Sequence, residues 1–88
     1  RLLLSPNKKE TTYYTVVVGS FKEYKNAENI VHELNEKGID SYVSPTNING
    51  EIINRVIAGS FINKENANNM INTLKLNGYE AFIDVYIQ

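Results

Sequence analysis

The chain has 88 residues, nine basic and ten acidic side chains, a net charge of −1 and 42% hydrophobic residues, enough for one small domain with a thin core. It has no cysteine, which excludes a disulfide framework and any thiolate ligand or nucleophile. The slight negative charge argues against nucleic acid, since phosphate binding needs a cationic face to release counterions. No apolar run approaches the roughly 20 residues of a membrane span, and Leu2-Leu3-Leu4 is far too short to insert directly. The first residue is Arg1 rather than Met, so the chain reads as a piece of a longer protein, and a leader or anchor upstream stays open.

In chain order, residues 1–12 combine a Leu triplet with Ser5-Pro6-Asn7-Lys8-Lys9-Glu10 and show no periodicity, which predicts a linker or disordered arm; the ordered domain is expected over 13–88. Tyr14 to Val18 is β-branched and aromatic and predicts a strand that Gly19 and Ser20 end. From Asn26 to Lys37 the apolar residues Ala27, Ile30, Val31 and Leu34 share one helical face. Gly38 suits the left-handed position after that helix, with Leu34 and Ile39 as the apolar contact of a Schellman stop. A second strand is expected over Ile39 to Ser44, ended by Pro45. Asn49-Gly50 is the strongest two-residue hairpin signal and leads into a third strand, Glu51 to Ala58. A second helix carries Ala67, Met70, Ile71 and Leu74 inward, with Asn63 as N-cap and Gly78 as stop. Tyr79 to Ile87 alternates throughout and predicts the fourth strand.

One phrase organises this pattern. Val16-Val17-Val18-Gly19-Ser20-Phe21 returns 40 positions later as Val56-Ile57-Ala58-Gly59-Ser60-Phe61. The offset also holds for Asn26-Ala27 and Asn66-Ala67, Leu34 and Leu74, Gly38 and Gly78, and Tyr42-Val43 and Phe82-Ile83. Such self-similarity predicts one supersecondary unit used twice. The order β-α-β-β-α-β is the ferredoxin-like arrangement of the α+β class. Right-handed crossovers put strands one and three in the centre of a four-stranded antiparallel sheet, with both helices on one face.

The period of two then sorts side chains by face. Tyr14, Val16, Val18, Ile39, Ser41, Val43, Val56, Ala58, Ala81, Ile83, Val85 and Ile87 are expected towards the helices. Thr15, Val17, Tyr42, Ser44, Arg55, Ile57, Phe82, Asp84 and Tyr86 fall on the uncovered face. An uncovered face should turn polar; this one offers aromatic and aliphatic surface with a few polar groups, the make-up of a binding platform. Phe21 and Phe61 are read as plugs at the core's end, and His32 as a solvated surface residue. Among the recognised chemical constellations none occurs: no Ser-His-Asp set, no metal-spaced His or Cys group, no phosphate loop. The chain therefore reads as a non-enzyme without cofactor.

Tyr14-Thr15-Val16-Val17-Val18-Gly19-Ser20-Phe21, the Asn26-Ala27 helix start, Lys37-Gly38, Arg55-Val56 and the repeated Gly-Ser-Phe together resemble the SPOR domain over about Tyr13 to Ile87. The resemblance implies a non-catalytic, bacterial envelope module that binds septal peptidoglycan. Its implied ligand is glycan from which amidases have removed the stem peptides. Its implied place is the cell wall or septum, as a monomer localising a larger division or sporulation protein such as an amidase. Ser20 matches the family's polar position after the strand-one glycine, and Arg55 its strand-three arginine; Val17 stands where the family often has Gln, and Gly59-Ser60-Phe61 where its second turn often reads Gly-Pro-Phe.

The residues expected to contact glycan are Thr15, Val17, Ser20, Tyr42, Arg55, Ile57, Phe82 and Tyr86. Aromatic rings suit the C–H face of a pyranose, hydroxyls suit its rim, and the Arg55 fork suits the lactyl carboxylate that an amidase frees. The other reading of the same face is a ferredoxin-like protein-interaction or regulatory domain. RNA recognition is disfavoured by the acidic balance and by the lack of the aromatic motif on strand three.

Overall fold

In a computed structural model that describes residues 10–88, the elements follow the expected order: β1 (Thr12–Phe21), α1 (Tyr24–Glu36), β2 (Tyr42–Ile48), β3 (Glu51–Phe61), α2 (Lys64–Leu76) and β4 (Phe82–Ile87). The four strands form one sheet in the order β2-β3-β1-β4, and every neighbouring pair is antiparallel. This is the α+β, ferredoxin-like arrangement, with β1 and β3 central. Residues 1–9 of the expected arm lie outside the described residues. Thr12, expected in the arm, opens β1, and just before it Thr11 exchanges backbone hydrogen bonds with Gln88, each 2.9 Å long.

Both helices bury a narrow apolar stripe on the same side of the sheet. Ala27 and Leu34 of α1, Ala67 and Leu74 of α2, and Val16, Ile39, Val56 and Ala58 make one buried core, with Ile30, Val31, Met70 and Ile71 packed around it. The small alanines let the helices lie close to the strands, and the leucines fill the space one or two turns on. Each helix ends in a Schellman motif. The Ile39 and Tyr79 amides donate to the carbonyls of Leu34 and Leu74 at 2.9 Å, and Gly38 and Gly78 take φ of 81° and 88°. Tyr79 also donates its hydroxyl to Glu33 at 2.7 Å, joining the second stop to α1. That bond to a carboxylate raises the Tyr79 pKa, so the link is fully present below the ordinary tyrosine pKa and is lost only as pH rises through the raised value above it.

Several boundaries depart from expectation. The Schellman stops consume Ile39 and Tyr79, so β2 begins at Tyr42 rather than Ile39 and β4 at Phe82 rather than Tyr79. Pro45 does not end β2; it sits within it, opposite Asn54, which an edge strand tolerates because one row of its amides faces away from the ladder. The Gly-Ser-Phe phrases are not turns. Both lie inside continuous strands, β1 and β3 running through to Phe21 and Phe61.

The β1–β3 register explains those phrases. Thr15 pairs with Ser60 and Val17 with Ile57, so β3 carries an extra residue; Val17 with Ile57 and Gly19 with Val56 put an extra residue in β1. Each is a β-bulge, which re-aims the side chains that follow it. Phe21 and Phe61 consequently join the core side, while Ser20 and Ser60 are exposed. Each ring folds back over its own glycine: a Cβ on Gly19 would meet the Phe21 ring at 3.0 Å, and one on Gly59 the Phe61 ring at 2.9 Å.

Candidate functional site: the open face of the sheet

The face opposite the helices is built in cross-strand rows. Tyr42 pairs with Ile57, Ile57 with Val17 and Val17 with Phe82, so one apolar row spans all four strands. Its two ends are open, Tyr42 at 54% and Phe82 at 53% exposure; its middle is closed, Val17 at 0% and Ile57 at 3%. Neither central residue belongs to the helix-side core. On one flank lie Ser44, Arg55 and Ser20, and on the other Asp84, Thr15 and Ser60, each set aligned by its ladder.

Arg55 joins the two flanks. Its Nη1 donates to Asp84 Oδ2 at 2.9 Å, and its Cζ lies 5.9 Å from the centroid of the Phe82 ring. Because Arg55 stands opposite Ser20 and Asp84 opposite Thr15, the pair reaches across β1 at the level of Val17. Val17, fully buried on a face without helices, lies at the level of this bridge, where a long arginine stem can cover apolar surface. The Arg55 side chain keeps 18% exposure and that of Asp84 47%.

Beyond Asp84 the face ends in hydroxyls and rings. Thr15 Oγ1 and Ser60 Oγ are 2.9 Å apart, and Ser60 Oγ lies 3.5 Å from the Tyr86 hydroxyl. Tyr86 stacks on Tyr13, ring centroids 5.1 Å apart and planes 17° from parallel. Two stacked tyrosines give a flat, rigid patch at low conformational cost.

All eight sequence-derived contact residues lie on this one face, but in two tiers. Ser20, Tyr42, Phe82 and Tyr86 are exposed and Arg55 is partly so; Thr15, Val17 and Ile57 are buried and form its floor. Sequence reasoning missed Tyr13 and Ser60. Extending the period of two by one step from Thr15 finds Tyr13, whereas Ser60 reaches this face only through the bulge. The Arg55–Asp84 pair was also missed, because strand parity gives the face of each residue but not the register between strands.

On the helix side Val85 and Ile87 are 53% and 61% exposed, since β4 runs out beyond the helices that cover Ile83. Among the described residues no group of His, Cys, Asp and Glu could hold a metal ion, and no helix is long and apolar enough to cross a membrane.

The SPOR domain profile matches residues 10–84, which is most of the chain. The chain belongs to the SPOR domain family. A solved relative of the same shape is the peptidoglycan binding domain of the B. subtilis cell wall lytic enzyme CwlC, in a solution structure. The two share 26% identity and a TM-score of 0.71 over 94% of this chain and 99% of that one. Among curated proteins, no sequence matches this chain. As a SPOR domain, the chain has one helix-covered face and one bare face, and the bare one carries the exposed rings of Tyr42, Phe82 and Tyr86.

Proposed function

We propose that this SPOR domain is a non-catalytic module that binds peptidoglycan through the open face of its sheet and holds a larger protein at the cell wall or septum. The observation that carries the reading is the cross-strand row with Tyr42 and Phe82 exposed at its ends and the Tyr13–Tyr86 stack beside it. Membership of the SPOR family and the likeness to a peptidoglycan-binding domain support the choice of polymer. The ligand proposed is glycan without stem peptides, bound by a monomer. Sugar rings lie their C–H faces on the exposed aromatics, and the hydroxyl rim meets Ser20 and Ser60. Thr15, Val17 and Ile57 act from below, holding the surface flat.

Arg55 supplies the charged contact. Nη1 is engaged by Asp84, and the guanidinium's remaining N–H groups have no other partner among the described residues. The ligand group proposed for them is the carboxylate that amidase cleavage leaves on the lactyl ether of the muramic ring. Arg55→Ala should cost about 1.5–3 kcal/mol, a ten- to hundredfold loss of affinity.

The test is retention on purified sacculi before and after amidase treatment, with the parent domain and Arg55→Ala side by side. Retention should rise after treatment and fall in the variant. Equal retention on both substrates would mean general wall adhesion, and an unaffected variant would remove the carboxylate contact.

A further inference from the structure

Arg55 already has an anion. Asp84 holds its Nη1 at 2.9 Å, so the most electropositive group of the open face is internally neutralised. We infer that Asp84 is a specificity-determining residue of this face: it competes with any ligand carboxylate for Arg55 and shifts the balance of binding towards sugar hydroxyls. The inference rests on the proposed role of the face as a glycan platform.

Three observations support a competing role over a merely structural one. First, Asp84 is not the sole anchor of Arg55: the Arg55 side chain is mostly buried and its guanidinium also approaches the Phe82 ring. Second, Asp84 stands on the edge strand between Phe82 and Tyr86, on the same face as both and nearly half exposed, so its free carboxylate oxygen is available to a ligand. A carboxylate oxygen accepts hydroxyl donors and repels another carboxylate. Third, the residue 40 positions earlier, Ser44, is directly opposite Arg55 on β2, and it is neutral. The negative charge is therefore present on one flank of the apolar row and not on the other.

A bound strand would meet unlike ends. Near Ser44 and Ser20 it finds hydroxyls beside the cationic side of Arg55; near Asp84 it finds an anion that rewards hydroxyls and disfavours acids. Amidase-stripped glycan carries a carboxylate on every second sugar, so alternate rings suit the two flanks.

The experiment compares two ligands with the parent, Asp84→Asn and Asp84→Ser. One ligand is stripped glycan with its lactyl carboxylates free, and the other is the same glycan with those carboxyls reduced to alcohols. The readout is the ratio of the two affinities. In both variants the ratio should move towards the acidic glycan by about two- to fivefold, the scale of a partly exposed ion pair. Circular dichroism confirms the fold of each variant, and the two substitutions must move the ratio in the same direction. A ratio that stays at the parent value, or moves towards the reduced glycan, overturns the competing role of Asp84. A parent that binds neither glycan overturns the glycan platform itself, a result separable from the first because it appears without any substitution.

Discussion

Gly59 is the residue on which the second half of the sheet depends most sharply. Its φ of 117° lies where an L side chain is strained, and a Cβ there would meet the Phe61 ring at 2.9 Å. Gly19 occupies the same place in the β1 bulge with its φ outside that region, and the Phe21 ring stands at 3.0 Å. The two glycines thus face similar crowding but differ in backbone. Gly59→Ala should therefore destabilise by about 1–3 kcal/mol. Gly19→Ala should cost clearly less, because a ring edge can turn aside. Urea unfolding of the two variants measures the difference; equal losses would mean that ring crowding, not the dihedral angle, sets the need for glycine. Ser41 shows the same half-to-half contrast in polarity. Its hydroxyl is buried without a hydrogen-bond partner among the described residues, where the other half places Ala81 against the core.

The helices differ most at their first turn. Asn63 accepts a hydrogen bond from the Glu65 amide at 2.7 Å and so caps α2. Glu23 has the same extended N-cap backbone ahead of α1, but its side chain makes no cap bond. Glu23→Asn should stabilise the domain by about 0.5–1 kcal/mol, a rise of a few degrees in Tm at this size. Thermal unfolding that is unchanged or earlier would contradict the capping account. Element order, both Schellman stops and the Asn49-Gly50 hairpin were legible because each rests on local residue chemistry; Asn49 and Gly50 have φ of 53° and 85°. What was not legible depends on a neighbouring strand. Gly-Ser-Phe read as a turn because glycine usually marks one, yet pairing between β1 and β3 carries the chain through it as a bulge. Pro45 read as a stop because a proline breaks a central ladder, yet β2 is an edge. The open-face residues other than Ser20 followed from strand parity, and Ser20 from the family resemblance, whereas the burial of Val17 and the bond from Arg55 to Asp84 needed the register.

At the scale of the whole molecule, the sheet divides labour between its faces. The helices take the apolar side of β1 and β3 and close the core, which leaves Tyr42, Phe82 and Tyr86 exposed on the other side. Their exposure would be a liability in a free-standing sheet and fits the flat ligand proposed for this face. The central claim is that glycan binds there and nowhere else on the domain. It is tested most directly by titrating amidase-stripped glycan into the isotope-labelled domain and following every backbone amide by NMR. The account predicts that the shifts concentrate at Ser20, Tyr42, Arg55, Phe82, Asp84 and Tyr86, with the outward helix positions Glu28 and Asn69 unmoved. Shifts confined to α1 and α2, with the sheet silent under saturating glycan, would contradict it.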